Sequence, residues 1–133
     1  MPTPSNDFFA TWTPRAQGLM RIIVAYLFVQ HGTAKYFNIP ALGFDNLPPL
    51  MMVAGVIEIV GGVLVLIGLF TRPAAFILSG FAAAAYFIAH APKVFLSPLQ
   101  NGGEAAVLYC FVFLFFAVAG AGAFSVDAIR RKA

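Results

Sequence analysis

The sequence predicts an all-α fold: a bundle of four helices, each crossing a membrane. Three observations carry that expectation. Of 133 residues, 61% are hydrophobic and only 10% are charged, whereas soluble domains average about 25% charged. The mean hydropathy is +0.88. Apolar runs of spanning length alternate with short connections rich in Pro and Gly, which leaves room for about four spans and no soluble domain.

Residues 1–14 carry Pro2, Pro4 and Pro14 and read as an N-terminal tail, with Trp12 suited to a membrane interface. The first span is expected over 15–37 and is the most polar, containing Arg21, Gln30, His31 and Lys35. Leu19 to Val29 resembles the apolar core of a signal peptide, but Arg21 interrupts it and no small-x-small cleavage site follows. A connection with Pro40, Gly43, Pro48 and Pro49 leads to the second span, 50–70. Thr71, Arg72 and Pro73 form a tight turn, Pro73 fitting the first turn of the next helix, where its missing N–H costs nothing. The third span covers 74–91. After a second Pro-bounded connection the fourth covers 104–119, ended by Gly120 and Gly122. A transmembrane domain over 15–123 and a basic tail over 124–133 follow.

Arg15, Arg72, Arg130, Arg131 and Lys132 fall on one side of this arrangement, with Arg21 near enough to snorkel there, against Lys35 and Lys93 on the other. Both termini are therefore expected in the cytoplasm. The net charge of +3 does not point to nucleic acid, because the basic residues are dispersed over helix ends and loops. The single cysteine, Cys110, rules out a disulfide, a Cys-x-x-Cys pair or a thiolate metal cage within the chain. Lys35 to Pro40 and Lys93 to Pro98 both read Lys-x-Phe-x-x-Pro, a hint of a doubled helical hairpin.

Glu58 is the residue that most needs a reason. It lies mid-span in an otherwise uncharged run, where a charge costs roughly 2.5–3.5 kcal/mol, so it should face protein, pair with a cation or take up a proton. Its helix face carries Ala54, Gly55, Gly61 and Gly62, small residues that let membrane helices approach. At about 100° per residue, Arg21, Phe28, His31, Gly32 and Lys35 share one quadrant of the first helix. On the third helix Ser79, Ala83, Tyr86 and His90 form a polar stripe, and Glu104 opens the fourth, where its sign suits Lys35 or Lys93. With cytoplasmic termini, His31, Lys35, Glu58, His90 and Glu104 all fall in the outer half.

Two accounts fit this cluster. It is either a set of ion pairs fixing helix register, or a proton-handling pocket for a lipid-soluble redox molecule such as a quinone. Neither His has the companions of a metal site, so no metal is expected. Arg21 reads as a snorkelling cation or as a structural ion-pair partner. Phe111, Phe113, Phe115 and Phe116 read as lipid-facing packing. Ser97 and Ser125 have no base at a recognisable spacing, which argues against a hydrolase. A transporter needs a continuous polar path, and the apolar inner half, Val63 to Phe70 and Phe111 to Val118, argues against one.

These residues resemble the DoxX family of small four-span bacterial and archaeal membrane proteins. The resemblance rests on Arg21, His31-Gly32 and Lys35; on Gly55, Glu58 and Gly61-Gly62; on Gly68-Leu69 with Thr71-Arg72; and on Asn101-Gly102-Gly103-Glu104. Gly120-Ala121-Gly122, Ser125 and Asp127 complete it, so that nearly the whole chain after residue 15 is covered. It implies a bacterial inner-membrane companion of redox enzymes, since family members serve as a membrane subunit of a thiosulfate:quinone oxidoreductase or in thiol-stress protection. It supplies no catalytic role for any residue. The chain lacks the paired cysteines of the disulfide-forming four-helix membrane oxidoreductases. The expected function is an accessory membrane subunit of a redox complex, with quinone as candidate ligand and protein partners within that complex; the alternative is a structural or assembly subunit.

Overall fold

A computed structural model describes residues 4–132. Residues 1–3 and 133 of the expected tails, and the side chains of residues 4–6 and of Lys132, lie outside the described residues. Every regular element described is helical: α1 (Pro4–Phe37), α2 (Pro49–Ile67), α3 (Thr71–Ala85, continued by a π-helical stretch, Tyr86–His90), α4 (Pro98–Asn101), α5 (Glu104–Ala119) and α6 (Val126–Lys132).

Several boundaries differ from expectation for local reasons. Helix α1 does not start at Arg15 but runs from Pro4 through Pro14. A proline removes one helical N–H, and side chains a turn apart offset that loss here: Phe8 meets Trp12 at a centroid distance of 6.3 Å, and the Arg15 guanidinium lies 4.8 Å over Trp12. Helix α2 starts on Pro49, preset in φ for a first helical residue. It ends at Ile67 rather than Phe70, because Gly68 (φ 71°) turns left-handed and the N–H groups of Gly68 and Leu69 close back on the carbonyls of Val65 and Leu64. Helix α3 follows at once. The C-terminal segment, expected as a tail, forms α6.

Helix α1 packs along α2, α3 packs along α5, and α2 against α3 joins the two pairs, while the α1 and α5 backbones stand apart and meet through Phe28 against Tyr109 and Phe113. The core is small and apolar: Ala25 and Phe28 of α1, Val65 of α2, Leu78 of α3, and Phe113 and Phe116 of α5. Phe113 and Phe116 thus depart from the expected lipid-facing row, whereas Phe111 and Phe115 are exposed. The row splits because residues three apart share a helix face and their immediate neighbours do not. Outside that core, Ile23, Val56, Val60, Phe76, Leu108 and Val118 lie exposed, which is the pattern of a molecule solvated by lipid rather than water. Pro49–Ile67 and Thr71–His90 are long and apolar enough to cross a membrane, and Glu104–Ala119 is a shorter apolar helix.

A candidate polar cavity

Glycines set the α1–α2 distance. A Cβ placed on Gly32 would lie 2.8 Å from the Gly55 carbonyl oxygen and 3.2 Å from the Glu58 Cβ, and one on Gly62 would lie 2.6 Å from Val29 Cγ2. Such approach is open only to glycine. It brings the Lys35 Nζ of α1 to the Glu58 Oε1 of α2, an ion pair that is nearly buried on both sides. Glu58 itself is only 3% exposed.

Where α1 and α5 stand apart, a cavity of about 280 Å³ opens. Its polar side chains are Glu58 of α2, His31 of α1, His90 of the π-helical stretch and Tyr109 of α5, set among Phe28 and Phe81. The imidazole Nδ1 of His31 lies 3.2 Å from the Leu27 carbonyl oxygen, and that of His90 lies 3.2 Å from the Asn101 carbonyl oxygen. A carbonyl only accepts, so each Nδ1 carries the proton and each Nε2 is left to accept a hydrogen bond or to donate one when protonated. The ring of Tyr109 stands edge-on to His31 at 5.6 Å and packs on Phe28 at 5.1 Å.

The sequence-derived candidates therefore divide. His31, Glu58 and His90 meet at the cavity, and Lys35 supports it by holding Glu58. Tyr86 is buried beside it, but its hydroxyl donates to the Phe95 carbonyl at 2.7 Å and accepts from Asn101 Nδ2 at 3.0 Å, which fastens the 92–101 connection. The wider π-helical turn is closed by an Ala91 N–H to Tyr86 carbonyl bond of 2.9 Å, and the two aromatic side chains four residues apart take different tasks. Glu104 is exposed and, among the described residues, joins no ion pair; of its two expected partners Lys35 is taken by Glu58, and Lys93 is not bonded to it. Tyr109 and Asn101 were not anticipated. Tyr109 falls on the face of Phe113 and Phe116, and the same period would have marked it as inward.

Arg21 neither snorkels nor pairs with a carboxylate. It is fully buried at the opposite end of the molecule, where one terminal nitrogen donates to the carbonyls of Ala121 and Ala123 (the latter at 3.0 Å) and the other to that of Phe124 at 2.7 Å. The link between α5 and α6 turns with positive φ at Gly120, Gly122 and Phe124, which points its carbonyls inward, and a forked guanidinium satisfies several at once. Gln17 adds a bond to the Gly120 carbonyl at 2.7 Å, and the Ala123 N–H donates to the Pro14 carbonyl at 2.9 Å.

The family model DoxX matches residues 16–91, the stretch holding Arg21, His31, Lys35, Glu58 and His90. A Haemophilus influenzae protein described as uncharacterized is 46% identical over 127 residues, covering 87% of this chain and 91% of its own length. No solved structure matches.

Proposed function

The chain belongs to the DoxX family, and from that premise we propose that this membrane protein is a four-span accessory subunit of a redox system, its cavity taking the headgroup of a quinone. Its spans are α1, α2, α3 and α5, lodged in the bacterial inner membrane with both termini cytoplasmic. One observation carries the proposal: proton-exchanging side chains from three helices, His31, Glu58 and His90, line one cavity. Its volume, about 280 Å³, sits just below the roughly 300–1,000 Å³ typical of ligand pockets. That suits a single ring whose isoprenoid tail stays in lipid.

A quinone supplies two-electron, two-proton acceptor chemistry when bound. The chain's own part is to receive and orient it. Either imidazole Nε2 can donate to a carbonyl oxygen when protonated, Tyr109 and Phe81 supply aromatic walls, and the Lys35–Glu58 pair holds an exchangeable proton next to the cavity wall. The orientation is supported by Arg15, Arg72, Arg130 and Arg131, which gather at the end opposite the cavity. Titration of detergent-solubilised protein with a short-chain quinone tests the ligand. Binding that weakens at least fivefold in His90→Ala and Glu58→Gln is expected; equal binding by all three proteins, or none by the parent, refutes the proposal.

The Lys35–Glu58 pair also favours a second reading, a structural subunit whose charges lock helix packing. In that case the double variant Lys35→Met with Glu58→Leu, which leaves neither charge unpaired, recovers stability, the yield of copurifying partners and activity together. A redox role instead predicts that the double variant forms an intact complex that has lost quinone reduction.

A further inference from the structure

At the end away from the cavity, α6 docks on the start of α3 through Asp127. Its two carboxylate oxygens accept from the N–H groups of Phe70 at 3.0 Å and Thr71 at 2.9 Å, and its own N–H donates to the Gly68 carbonyl at 2.8 Å. This docking sets Arg130 and Arg131 of α6 beside Arg72 of α3. The three guanidiniums, with Asp127, Thr71 and Gly120, line a cleft of about 450 Å³.

The charge in that cleft is unbalanced. Asp127 is committed to backbone donors, and among the described residues the one ion pair is Lys35–Glu58, so no arginine here is bonded to a carboxylate. Arg72 makes long contacts of 3.4 and 3.5 Å to the carbonyls of Val118 and Ala119. Arg130 lies 4.9 Å over the Phe70 ring, which orients a cation without neutralising it. Three forked donors lining one open cleft offer more N–H groups than these contacts use, and such donors match the oxygens of a phosphate group.

We propose that this cleft binds the phosphate of an anionic phospholipid. A lipid source is favoured by the other flank of α6, where Ile67, Phe124 and Ile129 line a second cleft of about 450 Å³, and Phe124 and Ile129 are 59% and 69% exposed. Apolar side chains on that flank fix α6 at the boundary of the acyl layer, which is the depth of the phosphates.

The test is lipid retention by the full chain in detergent, measured by native mass spectrometry with phosphatidylglycerol, phosphatidylcholine and inorganic phosphate as separate probes. The expected result is phosphatidylglycerol held at least tenfold tighter than phosphatidylcholine. Arg130→Gln with Arg131→Gln abolishes that preference and Arg131→Gln alone weakens it, whereas Arg15→Gln, the same single charge change as the latter but outside the cleft, leaves it. Lysine at both positions retains part of it, and an unchanged unfolding midpoint without lipid certifies that the variants are folded. Displacement of phosphatidylglycerol by millimolar inorganic phosphate would show that a free anion suffices and would overturn the lipid source. Equal retention of both lipids without a phosphate response, or equal loss in Arg15→Gln, overturns the proposal.

Discussion

Lys35 on α1 and Glu58 on α2 form an ion pair beside a close approach of the two helices, where a Cβ on Gly32 would lie 2.8 Å from the Gly55 carbonyl oxygen. Packing and electrostatics are coupled there. The glycines let the chains approach, and the approach lets a lysine reach a carboxylate that bulk lipid would reject.

Breaking that pair from one side leaves a buried charge without compensation, which costs about 3–5 kcal/mol, whereas removing both charges costs far less. Lys35→Met and Glu58→Leu are each expected to lower the unfolding midpoint in detergent sharply, and the double variant to recover most of the loss. Additive losses in the double variant would show that the two residues act independently.

The glycine seam predicts a contrast between two Gly→Ala changes. At Gly32 the new methyl would meet backbone, the Gly55 oxygen at 2.8 Å, whereas at Gly80 nothing lies within 4 Å. Gly32→Ala is expected to destabilise by about 1–3 kcal/mol through overpacking. Gly80→Ala should be neutral or stabilising by up to about 1 kcal/mol, because alanine favours a helix interior. Thermal unfolding of both variants in one detergent checks the pair of signs.

Arg21 is expected to tolerate no conservative exchange. Lysine is a point donor and cannot hold the carbonyls of Ala121, Ala123 and Phe124 together, and each buried acceptor left unpaired costs about 1–3 kcal/mol. Arg21→Lys should therefore raise amide hydrogen exchange across residues 120–126 before it affects the α1–α2 seam. Unchanged exchange in that link would mean that the arginine is a passenger.

How much of this was legible in the sequence depended on whether the signal was periodic or local. Glu58, its glycine face and the Arg21–His31–Lys35 stripe follow from helical spacing, and so did the expectation that an acid would meet a cation from the neighbouring helix. The partners of Arg21 did not follow, because they are carbonyls of a linker about 100 positions away and main-chain acceptors carry no residue signature. Helix α1 beyond Pro14 was hidden because proline outweighed the Phe8–Trp12 and Trp12–Arg15 contacts. Helix α6 was hidden because seven residues hold too few turns for a period to register. Glu104 was drawn into the cluster by its sign and by its depth at the start of the fourth helix. Proximity was the missing fact, and Lys35 was already paired.

The α3–α6 junction gives a pH prediction with a definite sign. Burial pushes the Asp127 carboxyl up, but the N–H bonds from Thr71 and Phe70 and the charge of Arg130 outweigh it together and hold the group below the usual carboxylate range. A carboxylate whose pKa falls on folding binds fewer protons in the folded state, so stability rises with pH between the two values. The contribution is complete above the unfolded value, near 4, and is lost as pH falls through the lower folded value. Asp127→Ala removes two capping bonds from the start of α3 and should cost about 0.5–2 kcal/mol at neutral pH. In Asp127→Asn the acid-side loss should shrink, because the amide keeps one acceptor oxygen and does not titrate. Unfolding midpoints from pH 7 down to 3 separate the cases: parallel curves for the parent and Asp127→Asn would mean that another group controls the acid limb.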